Sequence, residues 1–430
     1  MNANPATGSK GDSVREQVCM IAYTNYPADG RVRLEAESLV AWGYDVVFLV
    51  PKQDAKPRTY ELEGVTVKEL NVRKIRDNSK IRYVLSYLAF LGLAFFACTY
   101  LFLRKKVRII HVHNMPDVLV FAAIVPRLFG CKLILDVHDT VLETYEAKFE
   151  KTSRLLLALL RLEERICCFL ADRVICVNHV QREAVIRRGI PERKIATVIT
   201  MPRFVSSPRP VQQPNQERVF RLVNHGTMSK RLGNDLILEA AVRLVREIPG
   251  FELHIIGGGE NLEQLFALTR SLGIEQCVHF HAGVPWDQLP AKLGSMDVGI
   301  VANRINSATA LMLPSKLIDY AVLGIPAIVP RLKAIQYYFS EEMAAYFEPE
   351  NVDSMVAATL SLYKDRARRE RQAQRAKDFV THYRWDGKAN DLRGLYESLL
   401  ESRPTVERPT RGKPGLTMSH DSARQDEVGS

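Results

Sequence analysis

The chain alternates short apolar runs with helical patterns, and this alternation occurs twice. In the first half, the run 18–23 is followed by the helical pattern "RVRLEAESLVAWG" (31–43) and then by a second run, "YDVVFLV" (44–50). Three further runs, at 108–113, 132–139 and 172–178, continue the pattern. Strands separated by helices form parallel βαβ units, so the first half predicts a doubly wound α/β sheet.

A proline-rich stretch divides the two halves. The segment "MPRFVSSPRPVQQPNQER" (201–218) contains four prolines, and 204–217 is predicted to be a linker. Strands at 220–226, 251–259, 298–303 and 325–330, with helices at 234–248 and 260–273, then repeat the pattern. Two doubly wound domains joined by a linker predict a cleft between them, with ligand sites at the carboxyl ends of the strands.

The expected domain limits follow from these patterns. The first domain spans 17–203 and the second spans 218–375. The charged helical sequence at 376–402 is expected to form helices that return to the first domain. The polar ends of the chain, 1–16 and 403–430, have few large apolar residues, so both are expected to be disordered.

The composition argues against several classes of protein. The formal net charge is +10, but the sequence contains no RNA-binding signature and no zinc-ligand spacing, so nucleic acid is not an expected partner. A basic chain also suits anionic lipid or a phosphorylated substrate. The seven cysteines lack a paired framework, which predicts reduced, buried thiols in the cytosol. The N-terminus has no hydrophobic signal core, so secretion is not expected.

The run "YVLSYLAFLGLAFFACTYLFL" (83–103) carries no charge, and as a helix it would measure about 31 Å, close to a hydrocarbon core. The strands before and after it are expected to share one sheet, and a single crossing would separate them. The run must therefore lie in the membrane interface, re-enter the membrane or pack inside the domain. Flanking basic residues favour monotopic attachment to anionic lipid. They are Arg73, Lys74, Arg76, Lys80 and Arg82 before the run, and Arg104, Lys105, Lys106 and Arg108 after it.

The stretch "LMLPSKLIDYAVLGIPAIVP" (311–330) predicts a helix start that can hold a phosphorylated ligand. Pro314 suits the first turn, where exposed N–H groups and the helix dipole favour an anion. Lys316 adds a positive charge. Asp319 lies three residues further on, on the same face, where its carboxylate can accept hydrogen bonds from paired sugar hydroxyls. The alternative is a solvated Lys–Asp pair at a helix start.

Two loops at strand ends in the second half add candidate ligand contacts. Gly226, in "NHGTMSKRLGND", permits close approach of the backbone, and Lys230 and Arg231 can bind phosphate. The stretch "IIGGGE" places glycines 257–259 at the next strand end, although it is not a GxGxxG fingerprint.

Polar residues also follow two strands of the first half. The stretches "HVHNMPD" and "LDVHD" place His113, Asn114, His138 and Asp139 at the carboxyl ends of their strands. A histidine beside an aspartate could form a zinc site, but the sequence offers no third ligand at a sensible spacing. Buried, hydrogen-bonded histidines are the other interpretation.

Five stretches together resemble one enzyme family. They are "DGRVRLEAESLVAWGYDV", "HVHNMPDVLVFAAIVPRLFGCKLILDVHD", "HGTMSKRLGNDLILEA", "LHIIGGGE" and "LPSKLIDYAVLGIPAIV". Their order and spacing resemble the retaining, metal-independent glycosyltransferases of family 4, whose GT-B architecture has two Rossmann-like domains facing across a cleft. The chain looks closest to the bacterial exopolysaccharide branch, and the resemblance covers about residues 17 to 400.

The resemblance implies a nucleotide-sugar donor, UDP- or GDP-linked, held by the second domain without a metal or other cofactor. Asp319 would bind the ribose, Arg231 and Lys316 would lie near the diphosphate, and the backbone at Gly283 and Val284 would meet the base. The full set of implied donor-binding residues is Gly226, Arg231, Gly258, Val284, Pro314, Ser315, Lys316 and Asp319.

The resemblance also implies that the first domain binds the acceptor. The implied acceptor-binding residues are Asp29, Gly30, Arg31, His113 and Asn114, and the implied catalytic residues are His138 and Asp139. No protein nucleophile is established for such enzymes, and the leaving diphosphate is thought to help deprotonate the acceptor. The protein would contribute electrostatic stabilisation of the departing charge.

The sequence departs from the family pattern in two places. The usual pair of glutamates, eight positions apart, falls on Leu311 and Asp319. The Arg and Lys of the phosphate loop are Thr227 and Leu232, which leaves Arg231 nearby. Aspartate is one methylene shorter than glutamate and reaches a ribose if the helix lies closer to it.

The expected function is transfer of a sugar, with retention, to a polyprenyl-diphosphate-linked saccharide during exopolysaccharide or cell-surface glycan assembly. The expected location is cytoplasmic, peripheral or monotopic on the inner face of the bacterial plasma membrane. One alternative is a nucleotide-sugar epimerase of the same fold, which would need acid and base carboxylates in the cleft. Another is an inactive nucleotide-binding scaffold of a polysaccharide-assembly complex, which the missing acid at position 311 favours.

Overall fold

The structure is a computed structural model that describes residues 15–73, 80–148, 153–199, 219–284, 288–383 and 385–401. The predicted linker at 204–217, the predicted tail at 403–430 and most of the predicted disordered N-terminus lie outside these residues.

An eight-stranded sheet forms the centre of the first domain. Its strands are β1 (Gln17–Ile21), β2 (Asp45–Lys52), β3 (Thr59–Leu62), β4 (Val65–Arg73), β5 (Ile109–His113), β6 (Lys132–Val137), β7 (Arg173–Cys176) and β8 (Ile195–Thr197). They lie in the order β3-β4-β2-β1-β5-β6-β7-β8. Neighbouring strands are parallel except for the pair β3–β4, which is antiparallel.

The predicted parallel sheet is confirmed. The apolar runs of the first half form β1, β2, β5, β6 and β7, and every residue of β5 is buried. The sequence analysis missed β3, β4 and β8. Strand β3 has no buried residue and β8 has only three residues, so neither produces a continuous apolar run.

Helices connect these strands. They are α1 (Gly30–Ala41), α2 (Lys80–Lys105), α3 (Ile124–Leu128), α4 (Val141–Lys148), α5 (Arg154–Leu170) and α6 (His179–Arg187). A 3₁₀ helix, Asp117–Ala123, precedes α3. Residues of α2, α5 and this 3₁₀ helix share one core with β1, β5 and β6, so these helices cover the same face of the sheet.

Helix α2 contains the long apolar run and joins β4 to β5. Both strands belong to one sheet, so a single membrane crossing is excluded, as predicted. Phe90, Ala94, Cys98 and Leu101 recur at helical spacing and pack into the core. By length and composition, the described helix Val84–Lys105 could cross a bilayer, yet only 28 % of its most apolar stretch is buried. The helix therefore neither crosses a membrane once nor lies fully inside the domain, because only one of its faces packs against the core.

The seven cysteines are free and buried, as predicted. Burial raises the pKa of Cys131 to about 12 and also raises the pKa values of Cys167 and Cys168. These side chains therefore remain thiols at neutral pH and behave as small apolar groups.

A six-stranded parallel sheet forms the second domain. Its strands are β9 (Phe220–Thr227), β10 (Phe251–Gly258), β11 (Val278–His281), β12 (Val298–Ile300), β13 (Ala327–Pro330) and β14 (Ala345–Phe347), in the order β11-β10-β9-β12-β13-β14. The helices are α7 (Asn234–Glu247), α8 (Leu262–Ser271), α9 (Leu289–Leu293), α10 (Ser307–Leu311), α11 (Ser315–Val322), α12 (Lys333–Tyr338), α13 (Val352–Lys364), α14 (Arg366–His382) and α15 (Trp385–Glu401). The strand–helix alternation predicted here is confirmed.

The chain returns to the first domain through α15 alone. Leu392, Tyr396 and Leu399 of α15 pack in one core with β1 and β2. In contrast, Ala376 and Val380 of α14 pack against α11 and α12 of the second domain. The predicted returning segment, 376–402, therefore begins too early, because its first turns belong to α14.

The two domains contact each other beside the cleft. The side chain of Asn178, before α6, donates to the backbone oxygen of Leu311 (2.9 Å). The hydroxyl of Tyr338 lies 2.7 Å from Nδ1 of His179 and 2.8 Å from its backbone nitrogen. These contacts fix the carboxyl ends of the two sheets opposite each other.

Candidate active site

A cleft of about 980 Å³ lies between the domains at the carboxyl ends of β1, β5, β6 and β9. Ten of the predicted site residues line it. They are Asp29, Gly30, Arg31, His113, Asn114, His138, Asp139, Arg231, Ser315 and Asp319. Five predicted donor-binding residues are not among its lining residues: Gly226, Gly258, Val284, Pro314 and Lys316. The cleft thus brings together the predicted catalytic and acceptor residues and three of the eight predicted donor residues.

Asp319, on α11, faces the cleft from the second domain. Its side chain is 22 % exposed, and one carboxylate oxygen lies 3.6 Å from Nε2 of His225. Burial raises the pKa of Asp319 to about 7, although the neighbouring Lys316 lowers it in part. Burial and the Lys316 charge lower the pKa of His225 to about 3, so this imidazole is neutral. Within the described part of the chain, the carboxylate therefore has no cationic partner at contact distance, and it suits hydroxyl donors.

Lys316 lies elsewhere than predicted. Its side chain is buried, with 6 % of the residue exposed, and Nζ donates to Oδ1 of Asn224 on β9 (3.3 Å). Burial lowers the pKa of this ammonium group to about 8. The alternative of a solvated Lys–Asp pair is wrong because the first turn of α11 packs against β9. The expected place of Lys316 near the diphosphate is not supported, since Lys316 does not line the cleft. Pro314 is the N-cap residue of α11, one position before the predicted first turn.

Arg231 lines the cleft beside Asp319. It lies in the 3₁₀ turn Lys230–Leu232 that follows β9. Its Nη1 is buried and has no hydrogen-bond partner in the described part of the chain. A buried donor without an acceptor is costly, and a guanidinium group is suited to phosphate. Arg231 is therefore the best-placed cation for a diphosphate in this cleft.

Glycines allow β9 and β10 to end in close contact. Gly257 has a φ of +140°, and a Cβ there would lie 2.0 Å from the backbone oxygen of Gly226. A Cβ at Gly259 would meet the backbone of Met228 at 2.3 Å. These residues shape the strand ends, and no larger side chain fits at either position.

Leu311, where the family pattern has its first glutamate, lines a smaller pocket of about 180 Å³ next to the cleft. His138, Asp139, Arg31 and Ser315 line the same pocket. The hydroxyl-free side chain of Leu311 offers no acceptor to a sugar, so the donor sugar would depend on these neighbours.

In the first domain, the side chain of Asn114 holds the loop that carries His138 and Asp139. Its Nδ2 donates to the backbone oxygen of Asp139 (2.6 Å) and to Oδ1 of Asp117 (2.9 Å). Its Oδ1 accepts from the backbone nitrogen of His138 (2.8 Å). Asn114 is therefore occupied in positioning this loop, and the prediction of a direct acceptor contact is not supported by its geometry.

His138 reaches the cleft, whereas His113 does not extend into it. The side chain of His138 is 15 % exposed, and that of His113 is 1 % exposed. Burial, and then His111, lower the pKa of His113 to about 3, so this imidazole is neutral. His113 lies at the floor of the cleft and packs against Phe48, which argues against its predicted acceptor contact.

The sequence analysis missed several residues that surround His138. Asp136 lies beneath it, with Oδ2 3.1 Å from Nε2 of His138, and Glu35, His111 and Tyr396 lie close by. The period of two in "HVH" and "LDVHD" could have indicated that His111 and His113 share a face, as do Asp136 and His138. No local pattern could have placed Tyr396 there, because it comes from α15.

At the end of β1, residues 29–31 begin α1 and line the cleft. Asp29 is the N-cap residue, and its Oδ2 accepts a hydrogen bond from the Thr24 hydroxyl (2.8 Å). Gly30 and Arg31 form the first turn of α1, and Arg31 reaches both the cleft and the smaller pocket. Their place in the cleft is therefore observed, and a contact with the transferred sugar stays a prediction.

Two groups of side chains in the described residues have a geometry that could hold a metal ion. One is Glu35, His111, His113 and Asp136, and the other is Glu252, His254 and His279. The first group lies next to His138 but includes neither His138 nor Asp139, the adjacent pair considered in the sequence. The second lies on β10 and β11, and none of its members lines the cleft.

Two family models together match most of the chain. Residues 30–199 match the model described as a glycosyl transferase 4-like domain. Residues 209–379 match the model described as glycosyl transferases group 1. The first match contains the His138 loop and the second contains Arg231 and Asp319.

Among curated proteins, the chain is similar to a GDP-mannose-dependent alpha-(1-6)-phosphatidylinositol monomannoside mannosyltransferase from Mycolicibacterium smegmatis. The two are 25 % identical over 177 residues, which cover 40 % of this chain and 46 % of the relative. The chain spans about half the length of the curated relatives it matches.

Solved structures resemble nearly the whole chain in fold. Sucrose-phosphate synthase from Thermosynechococcus elongatus has a TM-score of 0.73 at 17 % identity, covering 90 % of this chain and all of that one. HepE from Anabaena, in complex with UDP-glucose, has a TM-score of 0.65 at 13 % identity, covering 90 % of this chain and 99 % of that one. The chain therefore consists of a glycosyl transferase 4-like domain followed by a glycosyl transferases group 1 domain, and it has the GT-B fold.

Proposed function

We propose that this chain transfers a sugar from a nucleoside-diphosphate sugar to a membrane-associated, polyprenyl-diphosphate-linked saccharide, with retention of configuration. The observation that carries the proposal is that Arg231 and Asp319 of the second domain line the same cleft as His138 of the first domain. A cation for phosphate and a carboxylate for ribose hydroxyls are the two groups that a nucleoside diphosphate requires.

The donor occupies the second domain. Arg231 offers an unsatisfied N–H group to a phosphate oxygen, and Asp319 offers carboxylate oxygens to ribose hydroxyls. One curated relative is named for GDP-mannose, and a structural neighbour holds UDP-glucose. The donor class is therefore a UDP- or GDP-linked sugar, with the base near Gly283 and Val284.

The reaction centre lies at the floor of the cleft. Nε2 of His138 faces Asp136, which leaves Nδ1 as the ring nitrogen available to a sugar hydroxyl. Arg231 stabilises negative charge on the leaving diphosphate, which accepts the acceptor proton. Retention, metal-independent chemistry and a catalytic contact from Asp139 remain part of the proposal.

The acceptor is bound at a membrane surface. The outward face of α2 exposes a row of large apolar side chains: Val84, Leu85, Leu88, Leu93, Phe96, Tyr100 and Leu103. Helix α5, on the same face of the sheet, exposes Leu155, Leu159, Leu162, Ile166 and Phe169. Soluble proteins seldom expose so many apolar groups together, so this double stripe favours an interfacial position.

Basic residues at both ends of α2 favour the same membrane contact. Arg82 lies at the start of α2, and Arg104 and Lys105 lie at its end, where each basic residue near anionic lipid contributes about 1 kcal/mol. A peripheral or monotopic position on the inner face of the bacterial plasma membrane would place the cleft within reach of a lipid-linked sugar. Assembly of exopolysaccharide or another cell-surface glycan is the process that this acceptor suits.

A nucleotide-binding scaffold without activity is the second candidate. Leu311 favours it, because the side chain at this position cannot accept a hydrogen bond from the donor sugar. A scaffold would bind the nucleotide at Arg231 and Asp319 without transferring a sugar.

The test is a transfer assay with the full chain, anionic vesicles that contain a bacterial polyprenyl-diphosphate saccharide, and radiolabelled UDP- and GDP-sugars. The proposal predicts label in the lipid fraction, with the anomeric configuration of the donor, in the presence of EDTA. Asp319→Ala should abolish this transfer, whereas Asp353→Ala, on the far side of the same domain, should retain it. Nucleotide binding without transfer from any donor would contradict the proposal and favour the scaffold.

A further inference from the structure

Asp136 lies beneath His138 and is buried. Its Oδ2 is 3.1 Å from Nε2 of His138, 3.2 Å from Nδ1 of His113 and 3.6 Å from Nε2 of His111. Burial alone would raise the pKa of Asp136, but His138 and hydrogen bonds from the three imidazoles hold it well below its usual range. Asp136 is therefore a charged acceptor around which three ring nitrogens converge.

Tyr396, from α15, contacts one of these three imidazoles. Its hydroxyl lies 2.7 Å from Nδ1 of His111, and burial raises the pKa of the hydroxyl well above its usual value. Tyr396 thus keeps its proton. The ionised carboxylate of Asp136 can only accept, so Nε2 of His111, which faces it at 3.6 Å, carries the single ring proton. Nδ1 of His111 then accepts from the Tyr396 hydroxyl.

The same reasoning fixes the proton on His138. An ionised carboxylate can only accept, so the nitrogen that faces it must donate. Nε2 of His138 therefore carries a proton in both the neutral and the charged imidazole. In the neutral form the lone pair is on Nδ1, the nitrogen left for a ligand in the cleft.

His113 also contacts Asp136, but it does not replace His138 as the imidazole that meets a ligand. Its Nδ1 lies 3.1 Å from Nε2 of His138, but both nitrogens approach the same oxygen of Asp136. Its imidazole is neutral and buried, so it can donate one hydrogen bond to Asp136 and add no charge.

We propose that Asp136 is the positioning residue for His138, holding it as the Nε2–H tautomer so that Nδ1 accepts a hydrogen bond from a sugar hydroxyl, and that Tyr396 of α15 completes this arrangement. The inference rests on the proposed transferase function, since it assigns His138 a contact with a bound sugar. It also gives the returning helix a role, because α15, the last helix among the described residues, supports the reaction centre of the first domain.

A metal ion is the competing interpretation of these residues. The possible ligand atoms of Glu35, His111, His113 and Asp136 lie within 4.8 Å of one another. Ligation through Nε2 of His111 would require its proton on Nδ1, with the Tyr396 hydroxyl as the acceptor. The two interpretations therefore predict opposite tautomers for His111.

The test is long-range ¹H–¹⁵N spectroscopy of the full chain labelled at histidine, with each ring assigned by single substitution. The expected result is Nε2–H for both His138 and His111. Asp136→Asn should convert His138 to a tautomer mixture and shift the pH profile of kcat. It should also lower kcat by roughly 10- to 100-fold with little change in the donor KM, since the wrong tautomer disables a histidine. Tyr396→Phe should alter the tautomer of His111 before that of His138, and it should lower kcat less than Asp136→Asn does.

Asp172→Asn is the matched control. Its carboxylate accepts from the backbone nitrogen of Leu133 and pairs with Arg127 in the same domain, away from the cleft. This variant should lower thermal stability and leave the His138 signals unchanged. It therefore separates a structural role of a buried aspartate from control of the tautomer.

The proposal is overturned if His138 in the unaltered chain carries its proton on Nδ1, or if Asp136→Asn changes neither the tautomer nor the pH profile. A stoichiometric divalent metal in the purified chain, lost in Asp136→Asn, would overturn it in favour of a metal site. If Asp136→Asn fails to fold, Tyr396→Phe with an unchanged His111 tautomer would overturn the proposed role of α15. Absence of transfer, with the predicted tautomers present, would count against the proposed function alone.

Discussion

The two walls of the cleft differ in how their polar groups are satisfied. On the first-domain wall, three imidazoles converge on Oδ2 of Asp136, and Asn114 is hydrogen-bonded through both its oxygen and its nitrogen. On the second-domain wall, Nη1 of Arg231 has no partner among the described residues, and the pKa of Asp319 is raised to about 7. The hydrogen bonds of the first wall are formed without a ligand. The charged groups of the second wall need a ligand to supply their hydrogen-bond partners.

This difference suggests a division of labour. Preorganised groups stabilise developing charge without reorganising, so the first wall suits chemistry. Unsatisfied charges gain most from a polar ligand, so the second wall suits donor binding. Variants on the two walls should therefore separate the catalytic rate from donor affinity.

The largest expected effect is that of His138→Ala. Removing the imidazole should lower kcat by about 10²- to 10³-fold, the usual loss when one preorganised hydrogen-bonding group is removed from a reaction centre. Donor affinity should be unchanged, because Arg231 and Asp319 are intact. Single-turnover kinetics and calorimetry measure the two quantities separately. An equal loss of donor affinity would show that the walls do not act independently.

Arg231→Met should show the opposite pattern. A charge-assisted hydrogen bond contributes about 1.5–3 kcal/mol, so nucleoside-diphosphate affinity should fall roughly 10- to 100-fold. Arg243→Met is the control, since Arg243 pairs with the exposed Asp353 on the surface of the same domain. Calorimetric titration checks both variants. Equal nucleoside-diphosphate affinity in the two variants would show that Arg231 does not bind the donor.

Phe96→Gln tests the proposed membrane contact of α2, which lies outside both walls. Phe96 is 70 % exposed on α2, and transfer of such a side chain out of water contributes about 1.5–3 kcal/mol. Partition onto anionic vesicles should fall about tenfold. Phe266→Gln, at an exposed phenylalanine of the second domain, should have no effect. A chain that ignores vesicles at low salt would contradict the membrane assignment.

Asp319→Asn should give the smallest effect, in the pH dependence of stability. The raised pKa of Asp319 means that the folded chain holds a proton that the unfolded chain releases above about pH 4. Its contribution is therefore complete below about pH 4 and is lost as the pH rises through about 7. Asp319→Asn should be less sensitive to pH over this range and more stable than the unaltered chain at pH 8. Thermal unfolding between pH 5 and 8 measures this, and parallel curves would contradict the assignment.

Much of the fold could be predicted because buried parallel strands leave continuous apolar runs in the sequence. Strands such as β5 were therefore visible, whereas β3 and β8 were too exposed or too short. The site was predicted less completely. Local spacing placed Asp319 correctly in the cleft but misplaced Lys316, because packing of α11 against β9 decides which face is buried.

Long-range contacts account for what the sequence could not reveal. Tyr396 lies 285 residues from His111 along the chain, yet their side chains are in contact. Nη1 of Arg231 has no hydrogen-bond partner among the described residues because of how loops from several strands meet around it. Such juxtapositions arise from topology, and no local motif encodes them.

The most direct test of the central claim is titration of the purified chain with UDP, GDP and ADP, following thermal stability, with Asp319→Ala in parallel. A nucleotide at 100 times its dissociation constant should raise the free energy of unfolding by about 2.7 kcal/mol. UDP or GDP should stabilise the unaltered chain, and Asp319→Ala should abolish the effect. If no nucleotide shifts the melting temperature, or if Asp319→Ala responds as the unaltered chain does, the second wall is not a donor site.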